Sequence, residues 1–156
     1  MATQWTAQGI SSGAVLPAAT LNTIGAAWET WTPALTASTT NPTLGTGSSA
    51  TGRYGRVNKV VCGQGQIQFG TSGASAGSGF YYISLPITAQ SSGKVIGQFQ
   101  LYDSSAFAVY VGTLISDSTT RSLMYYSNPS SVVQNATPFT WAANDFIRYT
   151  FEYEAG

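Results

Sequence analysis

Between Val61 and Phe69 the chain alternates strictly. Val61, Gly63, Gly65, Ile67 and Phe69 fall on one side of a two-residue period, and Cys62, Gln64, Gln66 and Gln68 fall on the other. This is the pattern of an antiparallel strand with one buried face. Glycine at two inward positions predicts close approach of another element there. The C-terminal segment 146–153 repeats the pattern, with Ile147, Tyr149, Phe151 and Tyr153 on one face and Arg148, Thr150 and Glu152 on the other. Further candidate strands cover 31–36, 52–57, 80–85, 95–102, 107–115 and 123–126, each bounded by Gly, Ser, Asn or Pro. Short strands separated by turn signals predict an all-β fold, an antiparallel β-sandwich of jelly-roll type. The Thr/Ser/Gly-rich stretches 37–49 and 71–79 read as surface connections too small in side chain to pack a core, and no internal repeat stands out.

Before Trp28 the period changes. Leu21, Ile24 and Trp28 are spaced i, i+3 and i+7 behind Pro17, a residue suited to a first helical turn. The spacing predicts one short amphipathic helix that needs a surface to pack on, whether its own domain or a partner subunit. With the polar stretch 1–16, which carries Trp5, this divides the chain into an arm and helix over 1–28 and a β domain over 29–156. The N-terminus has no cationic segment followed by an apolar run, and no stretch approaches membrane-spanning length. Synthesis in the cytoplasm without a secretory signal, and no membrane partner, are the expectations.

Charge alters the picture. Only 8% of residues are charged, six basic and six acidic, for a net charge of zero, against about 25% in ordinary soluble domains. A folded monomer of this mass exposes roughly 7,500 Å², so each charge serves roughly 600 Å². A surface so thinly charged favours association, and a homo-oligomer is expected. The chain has no His and one Cys. This removes His-based catalysis, Cys/His zinc sites and an internal disulfide, and the lack of basic excess argues against a nucleic-acid partner. Cys62, beside Val60 and Val61, reads as a small buried residue.

The carboxylates Glu29, Asp103, Asp117, Asp145, Glu152 and Glu154 are scattered over turns and the last strand, and Lys59 and Lys94 lie in no recognisable motif. No enzyme activity, cofactor or metal is expected from this set. Gly45-Thr46-Gly47 lacks the Lys-Ser/Thr of a phosphate loop.

Aromatic residues make up 13% of the chain. Tyr81-Tyr82 and Tyr125-Tyr126 each place neighbouring rings on opposite strand faces, so one ring of each pair is expected to leave the core. Such rings suit a protein interface or the face of a surface glycan. Trp141, between Pro138-Phe139 and Asn144-Asp145, is expected to cover the end of the core.

Several motifs together carry a resemblance. They are Thr32-Pro33-Ala34-Leu35-Thr36-Ala37, Asn41-Pro42-Thr43-Leu44-Gly45-Thr46-Gly47, Gly52-Arg53-Tyr54, Ile83-Ser84-Leu85-Pro86 and the closing Pro138-Phe139-Thr140-Trp141-Ala142-Ala143-Asn144-Asp145. The chain resembles small virion structural proteins of tailed phages infecting Actinobacteria, of the minor tail or capsid decoration type. Asn144 stands where that family usually has Gly, and Asn also accepts positive φ. Leu16-Pro17-Ala18-Ala19-Thr20-Leu21-Asn22 is similar to the family's attachment segment, with Pro17 where a Thr usually caps the helix. The resemblance implies a β-sandwich head, commonly a homotrimer, on the surface of the virion. Its partners would be copies of itself and the major capsid or tail proteins. Trp5, Leu21, Ile24 and Trp28 are the apolar candidates for virion attachment. A chain this short lacks a fibre shaft, which puts capsid decoration ahead of the alternative, a tail-fibre receptor-binding protein with a carbohydrate-binding sandwich.

Overall fold

The computed structural model describes residues 28–127 and 131–156. The expected helix and the attachment candidates Trp5, Leu21 and Ile24 lie outside the described residues. Among the described residues the fold is all-β, and the strands are β1 (Glu29–Trp31), β2 (Leu35–Ala37), β3 (Ser49–Val57), β4 (Val60–Gln68), β5 (Tyr81–Ser84), β6 (Val95–Asp103), β7 (Ala108–Ser116), β8 (Arg121–Tyr126) and β9 (Phe146–Glu154). All neighbours are antiparallel, in the order β1-β3-β4-β9-β6-β7-β8-β5-β2. Hydrogen bonding therefore runs through one curled sheet, an open half-barrel, and not through the two separate sheets of the expected sandwich or jelly roll. The candidate strand 31–36 is in fact two strands. Pro33 cannot donate to a ladder, and the Thr32–Ala34 break sends β1 to one edge of the sheet and β2 to the other.

The alternation read from the sequence sets which side is buried. In β9 Ile147, Tyr149, Phe151 and Tyr153 point into the core while Arg148, Thr150, Glu152 and Glu154 are exposed. Its neighbour β4 turns Val61, Gly63 and Ile67 inward. The inward glycines meet rings from adjacent strands: a Cβ on Gly63 would strike the Phe151 ring, one on Gly65 the Tyr149 ring, and one on Gly52 the Trp31 indole. The close approach expected at Gly63 and Gly65 is thus made by side chains of β9 lying flat along the sheet.

Two sequence readings need correction. Cys62 is half-buried, because its position in the alternation puts it on the solvent face, level with Gly55 and Glu152. The stretches 37–49 and 71–79 do contribute to packing, since Leu44, Ala74 and Ala76 lie against the core. They also pair with each other at every third residue, Thr40 with Ser78, Thr43 with Ser75 and Thr46 with Ser72. The first two pairs exchange both backbone hydrogen bonds at 2.8–3.1 Å. The bonds run between backbone groups, and the paired positions are Thr in one segment and Ser in the other.

The end of the core is closed as expected. Trp141 is buried, with its ring 4.7 Å from Phe139, 5.3 Å from Phe69 and 5.7 Å from Tyr81. Its indole N–H donates to the Gln134 carbonyl at 3.0 Å. The turn that follows uses Asn144 at φ 67°. Asp145, wholly buried, accepts from the backbone N–H of Ala142 at 2.7 Å and of Ser104 at 2.9 Å, and from the Ser104 hydroxyl at 3.0 Å. Trp141→Ala should lower unfolding free energy by about 3 to 5 kcal/mol, the usual cost of emptying a large aromatic site, as read from urea denaturation. Asp145→Ala should cost about 2 kcal/mol or more in the same assay, since charge-assisted hydrogen bonds to buried backbone groups are lost together.

Candidate functional site

The four tyrosines singled out from the sequence do not form one site. Tyr81 is fully buried against Trp141 and donates its hydroxyl hydrogen bond to the Ala76 carbonyl. Tyr82 is on the opposite face of β5, yet it too is buried, with the Arg121 guanidinium 3.8 Å above its ring. Tyr82 thus leaves the core cluster as expected of one ring of the pair, but a cation–π contact covers it. Arg121 is held in turn by Asp117 at 2.7 Å. In the second pair Tyr125 is 37% exposed and Tyr126 packs against the core, as alternation requires. Trp28 is 47% exposed, with the Arg53 guanidinium 6.0 Å from its ring centre.

What the sheet does assemble is a groove of about 890 Å³ on its solvent face, flanked by polar side chains. Antiparallel register brings side chains from five strands into two rows. One row is Thr51, Gln66, Arg148, Gln100 and Val111, and the next is Arg53, Gln64, Thr150, Gln98 and Thr113. The lining carries two arginines and no carboxylate. Arg148 is fixed in place: its Nε donates to Gln66 Oε1 at 2.9 Å and its guanidinium lies 4.2 Å from the Phe146 ring centre. Phe146 stacks on Tyr102 at 4.8 Å with an 18° interplanar angle. Among the described residues the salt bridges are Arg121 with Asp117 and Lys59 with Glu154, so neither groove arginine is paired with an acid. Gln64, Gln66 and Gln68 were placed on the solvent side by their alternation. Their meeting with Gln98, Gln100, Arg53 and Arg148 depends on strand order, which periodicity does not contain.

Among the described residues no three His, Cys, Asp or Glu side chains cluster as metal ligands. Glu29 accepts from the Tyr54 hydroxyl at 2.6 Å, and this bond raises the Tyr54 pKa. Asp103 is held below its usual value chiefly by the Ser105 hydroxyl, assisted by the backbone N–H groups of Ala106 and Ser105 that it caps. Comparisons with known protein families, curated proteins and solved structures give no match to this chain.

Burial raises the tyrosines of the inner face. Tyr81 and Tyr149 are pushed well above the usual phenol range, and Tyr153 is pushed up to about 12. A tyrosine in the unfolded chain ionises near pH 10, so above that point the unfolded state releases protons that the folded state retains. The stability these groups contribute is complete below about pH 10 and falls as pH rises through about 12. Denaturation midpoints should therefore drop over that interval while phenolate absorbance from the core appears only with unfolding. Tyr149→Phe should make the midpoint less sensitive to alkali.

Proposed function

We propose that this chain is a non-enzymatic structural protein of a phage virion surface, acting as a homo-oligomer, in the leading reading a trimeric capsid decoration protein anchored by its N-terminal segment. The observation that carries the reading is the combination of a nearly uncharged exterior with large apolar side chains left in water. Val57, Val60 and Val95 are exposed where β3 ends and β4 and β6 begin, and Phe107 and Val109 are exposed toward the other end of the sheet. Val57 and Val60 are register partners, and large apolar side chains left exposed together are candidates for burial against another surface. The curled sheet, closing on its own aromatic core, serves as the counterpart of the sandwich head that the resemblance implies. Trp28, half-exposed at the point where the arm enters β1, supports attachment through the preceding residues.

Association driven by apolar burial is insensitive to screening, whereas association through surface ion pairs weakens with salt. Sedimentation of the purified full chain should show a trimer at micromolar concentration in both low and high salt. A soluble monomer under those conditions would remove the proposal's physical basis. Removing residues 1–28 should leave the β domain folded and abolish incorporation into particles, as scored by immunogold labelling of virions. Normal incorporation of the shortened chain would move attachment onto the sheet itself.

A further inference from the structure

We propose that the solvent-face groove is a binding site for a carboxylate-bearing polysaccharide, with Arg148 and Arg53 contacting the acid groups and Gln64, Gln66, Gln98 and Gln100 contacting hydroxyls. The site does not depend on where the protein resides or on its oligomeric state. Beneath it the three central strands, β4, β9 and β6, are paired on both sides along the groove, so their backbone groups are spent on neighbouring strands. A peptide cannot add to them by edge pairing, and recognition has to come from side chains. Each glutamine amide presents one acceptor and two donor hydrogens, which matches sugar hydroxyls that both give and take hydrogen bonds. An array of four such amides with no carboxylate among them selects a hydroxyl-rich ligand that is neutral or negative.

The arginines decide between those two. Arg148 has its Nε committed to Gln66 and its plane held over Phe146. This leaves the N–H groups of its two Nη atoms in a fixed orientation at the groove, a fork that fits a carboxylate. Arg53 stands two strands across and one row along in the register. From strand spacing and rise their Cα atoms lie roughly 12 Å apart. The two guanidinium groups are drawn to opposite flanks, Arg148 over Phe146 and Arg53 toward Trp28, so they address separate acid groups, and the ligand is a chain carrying repeated acid groups. Two cations are far short of the basic stripe that tracks a nucleic-acid backbone.

Affinity electrophoresis of the full chain tests the proposal, using gels cast with polygalacturonate, alginate or hyaluronan as acidic probes, dextran as a neutral one and inorganic polyphosphate as a non-sugar polyanion. At least one acidic polysaccharide should retard the protein, less so with added salt. Arg148→Gln should weaken that binding about tenfold or more, in keeping with loss of a charge-assisted fork, and Gln100→Ala severalfold, both with unchanged melting midpoints. Lys94→Gln, which removes a cation outside the groove, should leave binding intact. Failure of all three acidic polysaccharides, equal retardation by dextran, preference for polyphosphate, or equal losses in Arg148→Gln and Lys94→Gln would each overturn the proposal.

Discussion

Three residues, Thr32, Pro33 and Ala34, hold the two edges of a nine-stranded sheet together. Strands β1 and β2 follow one another in the chain but occupy the first and last places in the sheet order. Eight inter-strand spacings would put the edges of a flat sheet about 38 Å apart. The four Cα steps from Trp31 to Leu35 reach at most about 14 Å. The sheet has to curl through most of that difference for both pairings to form, and the inner face becomes a core without a second layer to cover it. The connection is itself fastened, since the Ala34 N–H donates to the Ser84 hydroxyl at 2.9 Å and the Ser84 N–H donates to the Ala34 carbonyl at 3.0 Å.

Curling tightly leaves little depth between opposing walls, and the inward residues are matched to it. Across one register row the inner positions read Trp31, Gly52, Gly65, Tyr149, Phe99 and Gly112. Rings on β1, β9 and β6 lie over glycines on the strands beside them. The glycines weaken their strands, and the rings covering them restore apolar contact while bringing the walls close. The arrangement has a cost. The Trp31 indole N–H and the Tyr149 hydroxyl, both directed at the paired Gly52 and Gly65, are buried without a protein hydrogen-bond partner among the described residues. An unsatisfied buried polar group costs about 1–3 kcal/mol, and burying an aromatic side chain returns a comparable amount, so the large apolar area of the rings offsets the two unpaired groups.

The inner face was legible because alternation reports burial directly. Ile147, Tyr149, Phe151 and Tyr153 can share a side only if the side is apolar, whichever strands flank them. Strand order was not legible, because β9 pairs with β4 and β6, partners separated from it by tens of residues, and nothing local encodes that choice. The split of 31–36 was signalled by Pro33, although a proline alone does not say that the two halves part to opposite edges. Tyr82 shows a different limit: its face was assigned correctly, but its burial comes from Arg121, placed over it because β5 and β8 pair. The groove fails to show in the sequence for the same reason as strand order. Its glutamines occupy ordinary solvent-face positions, and only the register of five strands makes them one surface.

The two faces of the sheet solve opposite problems with few charges. The inner face excludes water with rings. The outer face has to stay wet with twelve charged residues in the whole chain, and it does so over β4, β9 and β6 with amides and hydroxyls. Amides hydrate well without imposing a net field, and for that reason the two unpaired groove arginines stand out electrostatically where they would be lost on a more highly charged surface. Their exposure also limits what an oligomer can cover. An interface that buried Arg53 and Arg148 without acidic partners would incur the desolvation of two charges, whereas the valines at the strand ends lose nothing by burial. On the proposed reading copies of the chain therefore meet through the apolar ends and flanks, leaving the amide-lined face open to solvent and to a hydroxyl-rich ligand.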